Sequence, residues 1–137
     1  MKTHITLTAI LVLMVVSPSF AKDDITKELI TSQGRTRAYY LYVPSTLKAG
    51  TTAPLIVTLH GSNRTGVTLV EKWKDLAKKE GIILAGPDAT NLRGWGSPQD
   101  GPDFLRDLVE ELKSKYPVNP KRVYLFGHSA RASFALQ

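Results

Sequence analysis

Strand-like apolar runs predict a β-hairpin near the start of the chain. The runs 25–31 and 36–43 flank Ser32-Gln33-Gly34-Arg35, which has the length and the glycine of a hairpin connection. Pro44 closes the second run because proline donates no hydrogen bond to a sheet ladder. We therefore expect two adjacent antiparallel strands.

Beyond the hairpin, three short runs are almost continuously apolar. They span 55–59, 82–85 and 122–126, and this composition is typical of strands covered on both faces. Helical segments separate them, and crossovers of this length join parallel strands. The predicted fold class is α/β, with a hairpin followed by a parallel β-α-β-α-β unit.

Each helical segment carries one apolar stripe at helical spacing. The first spans about 68–80 and precedes Gly81, a residue type that commonly ends helices, and the second spans about 102–116. The Gly/Pro-rich loop 86–102 is long enough to predict a functional lip over a site. The stripe residues are Leu69, Val70, Trp73, Leu76 and Ala77, then Phe104, Leu105, Leu108, Val109 and Leu112.

Residues 1–21 have the pattern of a secretory signal peptide. Lys2 gives a basic start, an apolar run follows, and small residues precede a cut after Ala21. A membrane anchor is the alternative, but the run from Ile5 to Val16 is shorter than the roughly 20 residues that span a bilayer. We expect a secreted or periplasmic domain of residues 22–137 without a stable membrane anchor.

Composition narrows the partners and cofactors. The net charge of +6 falls to +5 without the leader, which holds one lysine and no acid, and the basic residues are spread without interleaved aromatics. This pattern argues against nucleic-acid binding. There is no cysteine, no metal-ligand cluster and no phosphate-binding loop, so neither a cofactor nor a metal is expected.

Ser129 is the strongest candidate for chemistry. It lies in Gly127-His128-Ser129-Ala130, directly after a predicted buried parallel strand, where a sharp strand-to-helix turn exposes a nucleophilic serine. Gly127 and Ala130 are small enough for that turn. The alternative is a serine that caps the following helix.

A second candidate feature is the loop His60-Gly61-Ser62-Asn63 after the first parallel strand. A loop at this place can aim the backbone N–H of Ser62 at a developing oxyanion, together with the N–H of Ala130. An ordinary strand-to-helix turn is the alternative.

Other polar or aromatic residues receive lesser roles. His128 adjoins the serine, so the turn points it away, and we expect His60 to fix its loop by a hydrogen bond. Neither is expected to be a catalytic base. Asp88 is expected to be a loop-stabilising acceptor, with a triad acid as the alternative, and Asp103 to cap or charge the second long helix. Trp95 is a candidate pocket residue, with a packed loop aromatic as the alternative.

Together these segments resemble the N-terminal half of an α/β-hydrolase. Within that superfamily they are similar to secreted polyhydroxybutyrate depolymerases, feruloyl esterases and carboxylesterase relatives. The resemblance covers nearly all of 36–137 and implies a partial α/β-hydrolase fold that hydrolyses small or polymeric carboxylic esters through an acyl-enzyme at Ser129. The matching segments are Arg37–Pro44, Pro54–Gly61, Trp73 with Leu76-Ala77, Gly81–Asp88 and Arg122–Ser129.

Two departures modify this expectation. Arg131 stands where the family usually has glycine, and residues 130–137 contain no Asp, Glu or His to complete a triad in the family's order. We expect a truncated domain with little or no activity, and self-association through an exposed strand 122–127. The alternatives are a pseudoenzyme, an ester- or carbohydrate-binding module, or one half of a split hydrolase.

Overall fold

A computed structural model describes residues 22–96 and 98–128, which form one five-stranded mixed sheet with two helices. The sheet order is β1-β2-β4-β3-β5. In this part of the chain, neither helix is long and apolar enough to cross a membrane. The elements are β1 (Lys22–Ser32), β2 (Arg35–Val43), β3 (Ala53–Leu59), α1 (Val67–Glu80), β4 (Ile83–Pro87), α2 (Pro102–Lys115) and β5 (Val118–Gly127).

The predicted hairpin is confirmed. β1 and β2 pair antiparallel, with Ser32 opposite Arg35. Gln33 and Gly34 have φ values of 50° and 71°, so both central residues adopt the positive φ of the two-residue turn that matches strand twist. Both strands extend to the turn itself and are longer than the apolar runs alone predict.

The parallel unit is also confirmed. β3 lies between β4 and β5 and runs parallel to both, whereas β2 joins the sheet antiparallel to β4. β5 begins at Val118, earlier than predicted, because Ala53 donates its N–H to Pro117 O at 2.8 Å and pairs with Val118. Pro120 is tolerated within β5 since this strand lies at the sheet's edge.

Apolar residues pack on both faces of the sheet. The two clusters divide as alternation along β2 requires, with Tyr39 and Leu41 in one and Tyr42 in the other. The stripe prediction is wrong for Leu76, which is 46% exposed at the rim of a groove between α1 and β5. The helical residues that are buried are Leu69, Val70 and Ala77 on α1, and Phe104, Leu108 and Leu112 on α2.

Two carboxylates fasten the hairpin to the rest of the domain. Asp23 accepts hydrogen bonds from Ser45 Oγ at 2.8 Å and Lys78 Nζ at 3.0 Å, and the Ser45 bond is the main reason that its pKa falls to about 2. At the other end of β1, Ser32 Oγ donates to Asp107 on α2 at 2.6 Å, which lowers the pKa of Asp107. The hairpin is thus held near both ends of β1.

Helix α1 begins in direct backbone contact with β4. A Cβ on Gly66 would lie 1.9 Å from Gly86 O, and a Cβ on Gly86 would lie 2.2 Å from Gly66 O. Both contacts involve backbone atoms, which side-chain rotation cannot relieve. Asp88 Oδ1 also accepts the Gly66 N–H at 2.7 Å, so this contact fixes α1 against the end of β4.

We expect Gly66→Ala to lower the free energy of unfolding by about 3 kcal/mol or more, because overpacking here must displace backbone. Urea denaturation measures the loss. Gly96→Ala is the matched control, since a Cβ at Gly96 would meet nothing within 4 Å. Equal stability of the two variants would contradict the close-contact assignment.

Candidate active site

The two loops that carry the predicted chemistry leave the sheet side by side. Leu59 at the end of β3 pairs with Gly127 at the end of β5, and His128 donates its N–H to Leu59 O at 3.3 Å. Because β3 and β5 are parallel, the loop starting at His60 and the segment leading to Ser129 emerge at the same end of the sheet, beyond the C-terminal ends of both strands. Ser129 itself, with Ala130 and Arg131, lies outside the described residues, so their roles stay predictions.

The Gly61 backbone lies against the segment that precedes Ser129. Gly61 is buried, and a Cβ placed on it would lie 3.4 Å from the Nδ1 atom of His128. The next residue, Ser62, is exposed, and Asn63 adopts a positive φ of 57°. The loop therefore turns sharply just after the residue whose N–H is the predicted oxyanion donor.

His60 fixes the loop, as predicted. Its side chain is 1% exposed, and Ala89 donates its N–H to Nε2 at 3.0 Å. Nε2 is then an acceptor, so Nδ1 carries the hydrogen and donates to Gly61 O at 2.8 Å. His60 is buried and both of its ring nitrogens are hydrogen-bonded, so it is unsuited to act as a general base.

Trp95 packs against His60. The indole N–H donates to His60 O at 3.0 Å, and the two ring centroids are 5.2 Å apart. Trp95 is 8% exposed and belongs to the larger core cluster. Its position gives it a packing role in the long loop, and its role in lining a pocket stays a prediction.

The two aspartates behave differently. Asp88 is a loop-stabilising acceptor, as predicted, since its Oδ1 accepts the Gly66 N–H. Asp103 lies in the first turn of α2 and pairs with Arg106, but no side chain caps that helix by a hydrogen bond. Asp103 therefore adds negative charge at the start of the helix without capping it.

One buried ion pair near the site was not predicted from the sequence. It joins Arg37 on β2 to Asp100 before α2, with Nη2 and Oδ1 2.7 Å apart. The sequence contained one indication of this pair, because alternate residues of β2 point into the core and Arg37 is one of them. Arg37 shares that phase with Tyr39, Leu41 and Val43, so a charged side chain there needs a buried partner.

Across the described ranges, no group of three or more His, Asp or Glu side chains could hold a metal ion.

Comparison with known proteins supports an esterase relationship. The chain is 28% identical over 106 residues to the bifunctional acetylxylan esterase/xylanase XynS20E of Neocallimastix patriciarum. This alignment covers 74% of this chain and 16% of the relative. The chain is 27% identical over 106 residues to poly(3-hydroxyalkanoate) depolymerase C of Paucimonas lemoignei, covering 68% and 25%. No family model matches the chain.

The fold agrees with that relationship. A solved ferulic acid esterase superposes with a TM-score of 0.66 at 20% sequence identity, covering 82% of this chain and 51% of that structure. The chain thus spans about half of that structure and a quarter or less of the two curated relatives. Over this span it has a partial α/β-hydrolase fold and resembles esterases of the α/β-hydrolase type.

We expect His60→Ala to lower the free energy of unfolding by about 2–4 kcal/mol, because it removes a buried ring and two hydrogen-bond partners. Guanidinium unfolding followed by tryptophan fluorescence measures the effect. His128→Ala is the control: its side chain is exposed, so the change should stay within about 0.5 kcal/mol. A larger loss for His128 than for His60 would contradict the assigned role.

Proposed function

We propose that this chain supplies the nucleophile and the oxyanion donors of a serine carboxylic-ester hydrolase. In this mechanism Ser129 Oγ attacks the ester carbonyl, and the N–H groups of Ser62 and Ala130 bind the oxyanion. Collapse of the tetrahedral intermediate releases the alcohol and leaves an acyl-serine, which water then hydrolyses. The observation that carries the proposal is the parallel pairing that ends β3 at Leu59 beside Gly127 of β5.

The proton of the serine hydroxyl needs an acceptor, and neither histidine among the described residues is suited to that role. Both ring nitrogens of His60 are already hydrogen-bonded, and His128 adjoins the serine in sequence. In α/β-hydrolases the acid and histidine follow the serine, and residues 130–137 contain neither. We therefore propose little or no turnover by these residues alone. A pseudoenzyme or binding module, and half of a split hydrolase, remain the competing proposals.

The substrate and the cellular compartment belong to the same proposal. Relatives named for acetylxylan and poly(3-hydroxyalkanoate) support an ester substrate, small or polymeric. The signal-peptide pattern of residues 1–21 supports export, with cleavage after Ala21 and a secreted or periplasmic product.

A fluorophosphonate reaction followed by intact-protein mass spectrometry tests the proposed nucleophile. We expect slow labelling of the chain alone, because a serine without a base is a weak nucleophile. Labelling should accelerate when a polypeptide bearing the acid and histidine of a related esterase is added. Ser129→Ala should abolish it, whereas Ser114→Ala, which changes an exposed serine on α2, should label like the unaltered chain. The same masses show whether exported protein starts at Lys22.

Rapid labelling of Ser129 in the chain alone would contradict the proposed low activity. Equal labelling of the Ser129→Ala variant would contradict the nucleophile assignment itself.

We also propose that β5 mediates self-association. Among the described strands it pairs only with β3, and its apolar side chains Tyr124, Leu125 and Phe126 are 52%, 39% and 39% exposed. An exposed apolar edge strand is a template for pairing with another chain. Grooves flank it on the α1 and α2 sides, so an added strand would also cover apolar surface.

Sedimentation velocity tests this association. We expect dimers or larger species, and we expect Tyr124→Lys to shift them toward monomer because a charge on an edge strand opposes pairing. Leu29→Lys is the control, since Leu29 is a 62% exposed apolar residue on the opposite edge strand. A monodisperse monomer, or dissociation by Leu29→Lys alone, would contradict the proposal.

A further inference from the structure

The ion pair between Arg37 and Asp100 is almost completely removed from solvent. The two side chains are 8% and 2% exposed, and Nη2 lies 2.7 Å from Oδ1. Burying two charges costs several kcal/mol per ion unless other hydrogen bonds satisfy the remaining donors and acceptors. The hydrogen bonds of each partner therefore indicate what the pair holds in place.

Asp100 binds the long loop at two separate points. Its Oδ1 accepts the Thr90 N–H at 2.9 Å and the Thr90 hydroxyl at 2.8 Å, and its Oδ2 accepts the Gly96 N–H at 2.9 Å. The carboxylate thus bridges both ends of the segment 90–96.

Arg37 holds the same loop through backbone carbonyls. Nη2 donates to Asp88 O and Nη1 donates to Gln99 O, both at 2.8 Å. The guanidinium carbon lies 3.8 Å from the centroid of the Phe104 ring, a cation–π distance. The two charged groups together therefore hold residues 88, 90, 96 and 99 of this loop.

This loop in turn holds the predicted oxyanion loop at three points. Ala89 donates its N–H to His60 Nε2 at 3.0 Å, and Trp95 donates its indole N–H to His60 O at 3.0 Å. The Asn63 N–H donates to Leu92 O at 2.8 Å. These contacts bracket Ser62 in sequence, and Ala89 and Trp95 each adjoin a residue that Asp100 binds.

We propose that Arg37 and Asp100 are positioning residues that set the conformation of the loop 60–63 through the loop 88–100. The inference rests on the proposed function for its chemical meaning, because that function makes the Ser62 N–H an oxyanion donor. Neither residue needs to contact substrate, and the link passes through His60, Trp95 and Leu92.

The two charged side chains form hydrogen bonds with the loop that an apolar pair could not form. Replacing a buried ion pair by well-packed apolar residues is often neutral or stabilising. Apolar side chains here would leave the Thr90 and Gly96 N–H groups, and the Asp88 and Gln99 carbonyls, without these partners. The pair is therefore expected to matter more for local loop order than for the overall free energy of unfolding.

Amide hydrogen exchange of the full chain tests this coupling. In the double variant Arg37→Met/Asp100→Leu, we expect the Asn63 and Ala89 amides to exchange roughly tenfold faster or more than in the unaltered chain. A factor of this size corresponds to the loss of one or two hydrogen bonds. Amides within β3 should change far less. The ¹⁵N shift of His60 Nε2 should also move, because it reports the bond from Ala89. Asp103→Asn is the control, since it disrupts an exposed ion pair on α2.

Uniform acceleration across β3 and the loops would overturn the proposal, because it would indicate a purely global loss of stability. Unchanged exchange at Asn63 and Ala89, or an unmoved His60 shift, would overturn it as well. If the double variant does not fold, Asp100→Asn provides the same comparison, since its amide nitrogen cannot accept the Gly96 N–H. Exchange requires no ester chemistry, so a failure of Ser129 labelling leaves this result intact.

Discussion

The arrangement depends on the parallel pairing of β3 with a neighbour on each side. β4 and β5 both run in its direction, so the chain leaves the sheet from the same edge after each strand. The register that sets Leu59 opposite Gly127 brings the His60 loop next to the segment before Ser129. A two-residue slip along β5 would move that segment by about 6–7 Å, too far for the two loops to share the proposed oxyanion site.

A loop placed at that edge still needs a defined conformation. The His60 loop obtains it from hydrogen bonds, which are directional. His60 is satisfied on both ring nitrogens, and its carbonyl accepts the Trp95 indole N–H. In a buried setting each such bond is costly to leave unmade, which favours one loop conformation over its alternatives.

The elements of the fold could be predicted from the sequence because their patterns are local. The 3.6-residue stripes and the continuous apolar runs identify α1, α2 and the parallel strands, and Gly81 ends α1 in the left-handed conformation. Exposure of Leu76 could not be predicted, because periodicity identifies an apolar face but not whether a neighbour covers all of it. The early start of β5 could not be predicted, because Pro120 argues against a strand at that point. The position of β5 at the edge of the sheet permits this proline.

The site was predictable only in part, for a similar reason. The His-Gly sequence after β3 has a local signature, and the hydrogen-bonding role of His60 follows from its place. The link between Arg37 and Asp100 joins residues 63 positions apart and depends on tertiary contact. Only the inward-facing phase of β2 indicated that Arg37 required a buried partner, and nothing local identified Asp100 as that partner.

These features divide the proposed chemistry into two separable physical tasks. The proposed oxyanion binding relies on backbone N–H groups, and the contacts of His60 and Asn63 hold the loop that carries one of them, the N–H of Ser62. Proton transfer relies on a titratable side chain aimed at the serine, and the described residues hold His60 in a structural role. In serine hydrolases that lack triad members, the remaining groups still give roughly 10³–10⁴-fold acceleration over water. In the proposed mechanism, preorganisation of the loop 60–63 would therefore aid catalysis independently of the proton acceptor, and the buried charges of Arg37 and Asp100 would contribute to that preorganisation.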